Sequence, residues 1–195
     1  MSTSRSRPAR HRARRRQGFR LPATVSRTAL LEAGGDRFRQ LVYDLLTISV
    51  RMETVRTHLA RRIGITGPQY SVLVAIAQFQ GANGVSVSKV AEVLHVSAAF
   101  ITAETRQLER LGLLIKSVNP RDRRGVLLRL TATGEQQMIA ISPAITAVND
   151  QFFSPLSRTA FRTLADCAAQ LVCSSREAVN VIETAPDEQT AQAAE

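Results

Sequence analysis

Three arginines lie close together in one short segment, residues 119–125, which reads Asn-Pro-Arg-Asp-Arg-Arg-Gly. Guanidinium groups form charge-assisted hydrogen bonds with phosphate and are attracted by the negative potential of the DNA minor groove. Asp122 lies two residues before Arg124, which suits a short ion pair; an exposed pair contributes about 0–1 kcal/mol and would mainly orient the guanidinium. The segment therefore predicts contact with a polyanion, the alternative being a solvated charged turn.

The residue patterns that carry catalysis or hold a metal are missing from the sequence. It has no GxSxG elbow, no glycine-rich phosphate loop and no HExxH motif. Cys167 and Cys173 lie six residues apart and the three histidines are scattered, so no zinc-site spacing exists. We therefore expect no enzyme, no metal and no cofactor. The two cysteines are expected to pack inward on the last helix, with a thiol redox switch as the alternative.

The formal net charge of +10 is unevenly distributed. Residues 1–20 contain eight arginines and no acid, residues 182–195 carry −4, and the stretch from Ser97 to Thr131 carries +4. This balance favours a nucleic acid or an anionic membrane as partner over an acidic small substrate. No run of 18 apolar residues occurs, so no membrane span is expected, and low cysteine usage fits a reducing cytoplasm.

Helices must hold the arginine segment in place, and the sequence predicts several. Apolar residues recur every three or four positions from Leu41 to Ile63, which predicts one long helix that starts at Asp36 and stops at Gly64. Thr66 and Gln69 form a capping box with a proline in the first turn. They open a second helix, which is expected to reach Gly81 and to pack on the first.

A helix-turn-helix and a β-hairpin follow. Ser86 is expected to cap a short helix, and Ser97 to cap a second one with Ile101, Leu108 and Leu111 inward. Residues 113–118 and 126–130 have strand composition and flank residues 119–125, which predicts a hairpin with three arginines at its tip. Such a helix fits the major groove and such a hairpin reaches the minor groove or the backbone, so the pattern is that of a winged helix.

The C-terminal part is predicted to be helical. Thr131 is expected to cap a helix that bends or breaks near Pro143, and residues 154–155 separate it from a last helix. That helix would turn Phe161, Leu164, Ala168 and Leu171 inward. The predicted fold class is mainly α with a small β-hairpin wing, organised as a winged helix-turn-helix plus dimerisation helices.

The residues from Thr66 to Glu135 resemble the core of the MarR family of winged-helix transcriptional regulators. Five pieces carry the likeness in order and spacing: residues 66–70, 90–94, 108–113, 122–124 and 130–134. The resemblance extends to residues 36–182. It implies dimerisation helices over 36–64 and 132–182 and a DNA-binding lobe over 65–131. Outside the resemblance, composition predicts a disordered basic arm over 1–35 and a flexible acidic tail over 183–195. The arm remains open as a solubilising tail, an extra DNA contact or a targeting segment.

The resemblance implies a homodimer on a pseudo-palindromic double-stranded DNA operator, released by a small effector, and a cytoplasmic, nucleoid-associated protein of a bacterium or archaeon. Arg124 would enter the minor groove, oriented by Asp122, with Arg121 and Arg123 on the backbone. The recognition helix would present the following residues to DNA: Ser97, Ala98, Ala99, Phe100, Thr102, Ala103, Arg106 and Gln107. Four further residues are candidates for binding the effector: Tyr43, Arg51, His58 and Tyr70. The alternative is that they are polar residues of the surface or of the dimer interface.

The recognition helix departs from the family pattern. Phe100 stands where the family often has Ser or Thr, Ala103 where an arginine is frequent, and Glu104 is unexpected near phosphate. Base readout is therefore expected to use thymine methyl groups with Arg106 and Gln107, or else DNA shape. The expected function is a dimeric, sequence-specific regulator, a repressor released by an aromatic or acyl effector. The alternatives are a non-specific architectural DNA-binding protein dominated by the arm, and a thiol-based redox protein.

Overall fold

The computed structural model describes residues 19, 21–120 and 122–185, with residues 32–33 and 122–124 described by their backbone. It divides into two compact units, Met1–Glu53 and Thr54–Glu195. In the first unit two short 3-10 turns, Thr28–Leu30 and Glu32–Gly35, precede helix α1. No local sequence pattern predicted these turns. Residues 1–18, 20 and 186–195, which hold most of the predicted arm and tail, lie outside the described residues.

Helix α1 spans Asp36–Arg62 and begins at the predicted residue. Asp36 forms an ion pair with Arg39 one turn later, which places a negative charge at the positive end of the helix dipole. Within the first unit its apolar side chains are exposed: Leu41, Tyr43, Leu45, Leu46, Ile48, Val50 and Met52. In the second unit the end of the same helix buries Leu59 and Ala60 in the core.

Three helices with serine or threonine caps form the centre of the second unit. Helix α2 (Gly67–Phe79) starts with the predicted capping box, in which Thr66 and Gln69 each accept from the backbone of the other. Ser86 caps α3 (Val87–Leu94) and Ser97 caps α4 (Ala98–Arg110). These caps satisfy N–H groups that the first turn of a helix leaves without partners, and all were predicted.

A three-stranded antiparallel sheet completes the lobe, in the order β1-β3-β2. Its strands are β1 (Val85–Ser86), β2 (Leu114–Asn119) and β3 (Asp122–Leu130). The hairpin of β2 and β3 was predicted, but β1 was not, because a two-residue edge strand has no periodicity of its own. The prediction of the hairpin tip was also wrong in extent: β3 begins at Asp122, so Arg123 and Arg124 belong to the strand.

The core of the lobe is formed by the inward faces of α2, α3, α4 and the sheet. Its fully buried side chains include Leu73, Ile76, Ile101, Leu108, Leu114 and Leu128. Leu111, which was predicted to face inward, is 44% exposed. It lies just beyond α4, where Gly112 adopts a left-handed φ of +69° and turns the chain towards β2.

Two long helices end the described chain. Helix α5 (Ala132–Phe153) contains Pro143 without being interrupted, so the prediction of a break was wrong. Helix α6 (Arg158–Glu183) is capped by Ser157 and has no buried residue. The residues predicted to face inward on it, Phe161, Leu164, Ala168 and Leu171, are all exposed in the single chain. The apolar face that the spacing predicts therefore exists, but the residues that the structure describes do not cover it.

Candidate nucleic-acid interface

Helix α4 is held at a fixed angle to α3 by a three-residue turn. His95 adopts a left-handed φ of 53°, and the Val96 N–H donates to the Ala91 carbonyl at 3.1 Å. The Ser97 hydroxyl oxygen then accepts from the Phe100 N–H at 3.1 Å, which fixes the first turn of α4. This is the predicted helix-turn-helix, with α4 in the position of the recognition helix.

The inner face of α4 anchors it in the lobe. Ile101, Thr105 and Leu108 are fully buried, and the Thr105 hydroxyl donates to the Ile101 carbonyl at 2.8 Å. Because the helix is fixed on this side, the opposite side chains project away from the core. The exposed residues of the predicted DNA-binding set are Ser97, Ala98, Ala99, Phe100, Thr102, Ala103 and Arg106, whereas Gln107 is half-buried.

Charged pairs connect the interface elements without dominating their stability. The Lys116 ammonium on β2 lies 3.1 Å from the Glu109 carboxylate on α4, which links the recognition helix to the first strand of the wing. Lys89 and Glu92 form a similar pair within α3 at 2.9 Å. Both pairs are partly exposed, so each contributes about 0–1 kcal/mol and acts mainly on orientation.

The wing itself is formed by β2 and β3. Val118 pairs with Val126 and Asn119 pairs with Asp122, so Arg123, Arg124 and Gly125 lie within an irregularity between these two pairs. A bulge of this kind bends a strand and redirects its side chains. Arg121 lies outside the described residues, as do the side chains of Asp122, Arg123 and Arg124. The ion pair between Asp122 and Arg124 therefore stays a prediction.

Polar contacts at the base of the wing were not found from the sequence. The Gln80 side-chain carbonyl accepts from the Leu130 N–H at 2.8 Å and joins the end of α2 to β3. The Thr131 hydroxyl, which caps α5, donates to the Gly112 carbonyl at 2.6 Å. The partners in the first contact lie 50 residues apart and those in the second 19, so no local sequence pattern predicts either pair. Together they fix the sheet to both ends of the lobe.

The predicted effector residues do not share one environment. Tyr43 and Arg51 are exposed on the first unit, and His58 is exposed on the second. Tyr70 is buried in the core, and this burial raises the pKa of its phenol above its ordinary value. The part of the chain that the structure describes holds a cavity of about 620 Å³ beneath the wing, lined among others by Phe79, Asn83, Lys89 and Ser117. None of the four predicted residues lines it.

Cys167 and Cys173 are both exposed in the single chain, so the prediction that they pack inward was wrong for the isolated protomer. The reason is that α6 has no buried residue within the described part of the chain. Among the described residues, no group of three His, Cys, Asp or Glu side chains is placed to hold a metal. None of the described helices combines the length and the hydropathy that a bilayer crossing requires.

The lobe is the part of the chain that matches a known protein family. The family model described as MarR family covers residues 63–125. The chain is 31% identical over 85 residues to the uncharacterised HTH-type transcriptional regulator YdcH of Bacillus subtilis strain 168, over 43% of this chain and 58% of that protein. It is 32% identical over 93 residues to the transcriptional regulator HosA of Escherichia coli O111:H-, over 48% of this chain and 67% of that protein. The chain thus spans little more than half of the first of these relatives.

Solved structures share the fold. S. aureus MepR in its DNA-binding conformation has a TM-score of 0.62 and 20% identity, covering 69% of this chain and 97% of its own. CouR from Rhodococcus jostii RHA1, bound to p-coumaroyl-CoA, has a TM-score of 0.58 and 23% identity, covering 67% of this chain and 90% of its own. At these identities the likeness concerns the fold alone. It includes the helix-turn-helix, the three-stranded wing sheet and the long C-terminal helices.

Proposed function

The chain belongs to the MarR family of winged helix-turn-helix transcriptional regulators, and from this premise we propose that it binds double-stranded DNA sequence-specifically as a homodimer and is released by a small ligand. The observation that carries the proposal is the arrangement of α4, whose inner face is buried while its outer face is exposed beside the wing. A rigid helix of this kind enters a major groove, and the adjacent hairpin follows the backbone into the minor groove. We expect it to repress transcription by occupying a promoter.

The test is selection from a random duplex pool with the full chain. A sequence-specific dimer enriches a pseudo-palindrome whose half-sites are about one helical turn apart. Affinity for the enriched duplex should fall steeply with salt, since each neutralised phosphate contributes about −0.9 to the log-log slope. Failure to enrich any sequence would count against specific binding.

Dimerisation is supported by the apolar surface that the single chain leaves exposed. Helix α6 carries an amphipathic face whose members are 42–75% exposed: Phe161, Leu164, Leu171, Val172, Val179 and Ile182. In the other unit, α1 exposes Leu41, Leu45, Ile48 and Met52 along one stripe. Monomeric proteins rarely expose contiguous apolar patches of this extent, and a second copy is the partner that the family provides. We infer that the long helices of two protomers cover one another.

Replacing Leu164 and Leu171 together by Glu should convert the dimer to a monomer at micromolar concentration. The change removes two apolar side chains from the interface and places two carboxylates there without a partner. Sedimentation equilibrium measures the result against the 21.4 kDa protomer mass. Gln170→Glu is the matched control, because it adds a carboxylate to the same exposed helix and removes no apolar side chain. A double variant that remains dimeric would show that α6 is not the interface.

For the effector we propose an aromatic acid or its acyl thioester, and of the predicted effector residues Tyr70 is the one expected to contact it. The neutral Tyr70 hydroxyl is a donor suited to a carbonyl or carboxylate oxygen. The ligand of CouR, p-coumaroyl-CoA, is an acyl thioester of this class.

The effector proposal predicts a rise in melting temperature with p-coumarate or p-coumaroyl-CoA and a parallel loss of DNA binding. A ligand at 100 times its Kd stabilises the folded state by about 2.7 kcal/mol. Tyr70→Phe keeps the ring in the core and removes the hydroxyl, so it should weaken this response. Coenzyme A alone is the control. If neither aromatic probe shifts the melting temperature, this ligand class is excluded.

A further inference from the structure

We propose that α4 recognises thymine through its 5-methyl group, with Thr102 and Phe100 as the residues that determine this specificity. The inference rests on the proposed DNA-binding function and deepens it, because it names the chemical group on the DNA that the helix reads. It also decides between the two modes of readout that the sequence left open, methyl contacts and DNA shape.

Thr102 is exposed on α4, between the buried Ile101 and the outward-facing Arg106, and its hydroxyl already donates a hydrogen bond. The hydroxyl donates to the Ala98 carbonyl at 2.9 Å, one turn earlier in the same helix. Its proton is therefore not available to an acceptor on a base edge. What the side chain offers outward is its methyl group, which the helix backbone holds in a fixed rotamer.

The side chains around Thr102 in the first two turns of α4 have no donors to offer either. Ala98, Ala99 and Ala103 lie close to it on the exposed side of the helix, and all three are exposed. Phe100 flanks this face and is 36% exposed. The first two turns of α4 thus present methyl groups and an aromatic edge where a recognition helix contacts base edges.

Thymine is the base that such a surface fits. Each base pair presents a pattern of donors and acceptors in the major groove, and thymine alone adds an apolar group, its 5-methyl. A surface without donors cannot distinguish guanine or adenine by hydrogen bonds, but it gains from burying a methyl group. Burial of one methyl corresponds to about a fourfold gain in affinity.

The apolar face fits DNA better than a protein partner, because exposed cationic side chains lie next to it on the same side of α4. Arg106 lies four residues after Thr102 and Arg110 four residues after that, both exposed on the same side of α4. Within the described part of the chain neither forms an ion pair. They are placed to reach phosphates or a guanine at the edge of the site, while the N-terminal turns meet thymine.

The experiment changes the DNA and leaves the protein intact. Two random duplex pools, one made with deoxythymidine and one with deoxyuridine, are selected in parallel with the full chain. Uracil has the hydrogen-bonding edges of thymine and lacks only the 5-methyl group. We expect a motif with thymine at defined positions from the first pool, and a loss of about fourfold in affinity for each critical thymine replaced by uracil, measured by gel shift.

Two variants at one residue then assign the contact. Thr102→Ser removes the methyl and keeps the hydroxyl bond to Ala98, so the penalty for uracil at the contacted position should disappear. Thr102→Val keeps the methyl and removes the hydroxyl, so the penalty should remain. Phe100→Ser should reduce the penalty at a neighbouring position. The three variants are compared at equal helix content by circular dichroism.

The outcomes separate this inference from the function on which it rests. Specific binding that is equal for thymine and uracil duplexes overturns methyl readout and leaves DNA recognition standing. A selected motif without thymine has the same consequence. Enrichment of no sequence from either pool overturns both the inference and the proposed function.

Discussion

Replacing Gly134 by Ala lowers the free energy of unfolding by about 3 kcal/mol, although helix propensity alone would raise it by about 1 kcal/mol. Gly134 lies in the first turn of α5, directly against the Leu113 carbonyl. A Cβ at this position would come closer to the Leu113 oxygen than real Cβ atoms come to any atom, and the obstacle is backbone. The junction between α4, β2 and α5 must therefore open for the variant to fold.

Thermal unfolding at a fixed protomer concentration measures this loss, which corresponds to a Tm lower by roughly 6–12 °C. Gly81→Ala is the matched control. A Cβ at Gly81 meets nothing within 4 Å, and only its left-handed φ of +48° opposes alanine, at about 1 kcal/mol. Equal destabilisation of the two variants would contradict the close approach of Gly134 to Leu113.

Replacing both Arg123 and Arg124 by Ala is expected to weaken binding to the selected duplex about 100-fold or more. The reason is that each wing of the dimer would then be without two cationic side chains, each worth about 1–3 kcal/mol where it meets DNA. The salt dependence should become shallower by about 0.9 in the log-log slope for every phosphate that the variant no longer neutralises. Gel shifts at several salt concentrations measure both effects.

Arg158→Ala with Arg162→Ala is the charge-matched control for the wing variant. These arginines lie in the first turns of α6, outside the helix-turn-helix and the wing. The control removes the same net charge, so it should lower affinity only through the overall field of the protein, which salt screens. If both pairs of substitutions weaken binding equally, the wing has no particular role and charge alone drives association.

The sequence predicted those parts of the fold that local chemistry determines. Side chains three residues before the N–H groups they satisfy signalled the starts of α2, α3 and α4, at Thr66, Ser86 and Ser97. The spacing of apolar residues predicted the inner face of α4. Long-range contacts were not predicted, because neither the contact of Gln80 with Leu130 nor that of Gly134 with Leu113 has a local sequence pattern.

The wrong predictions have physical causes of their own. An apolar stripe shows that a face is buried somewhere, but not by what. Leu164, Leu171 and Cys167 were expected to face inward on a helix that was also predicted to dimerise, and within the single chain they are exposed. Pro143 was expected to bend or break α5; the helix continues through it, so the break does not occur and the bend stays a prediction. For the candidate site, the sequence identified the exposed residues of α4, whereas the engaged hydroxyl of Thr102 required the structure.

We propose that α4 and the wing, and not the arginine-rich arm, recognise the DNA sequence. The most direct test of this proposal is the ratio of affinities for the selected duplex and a scrambled duplex of equal composition, measured by competition at one salt concentration. The ratio is compared between the full chain and a chain lacking residues 1–20. If α4 and the wing recognise the sequence, the ratio is expected to be about 1,000 or more and to survive removal of the arm. Equal competition by the scrambled duplex, or a preference that vanishes with the arm, would contradict it.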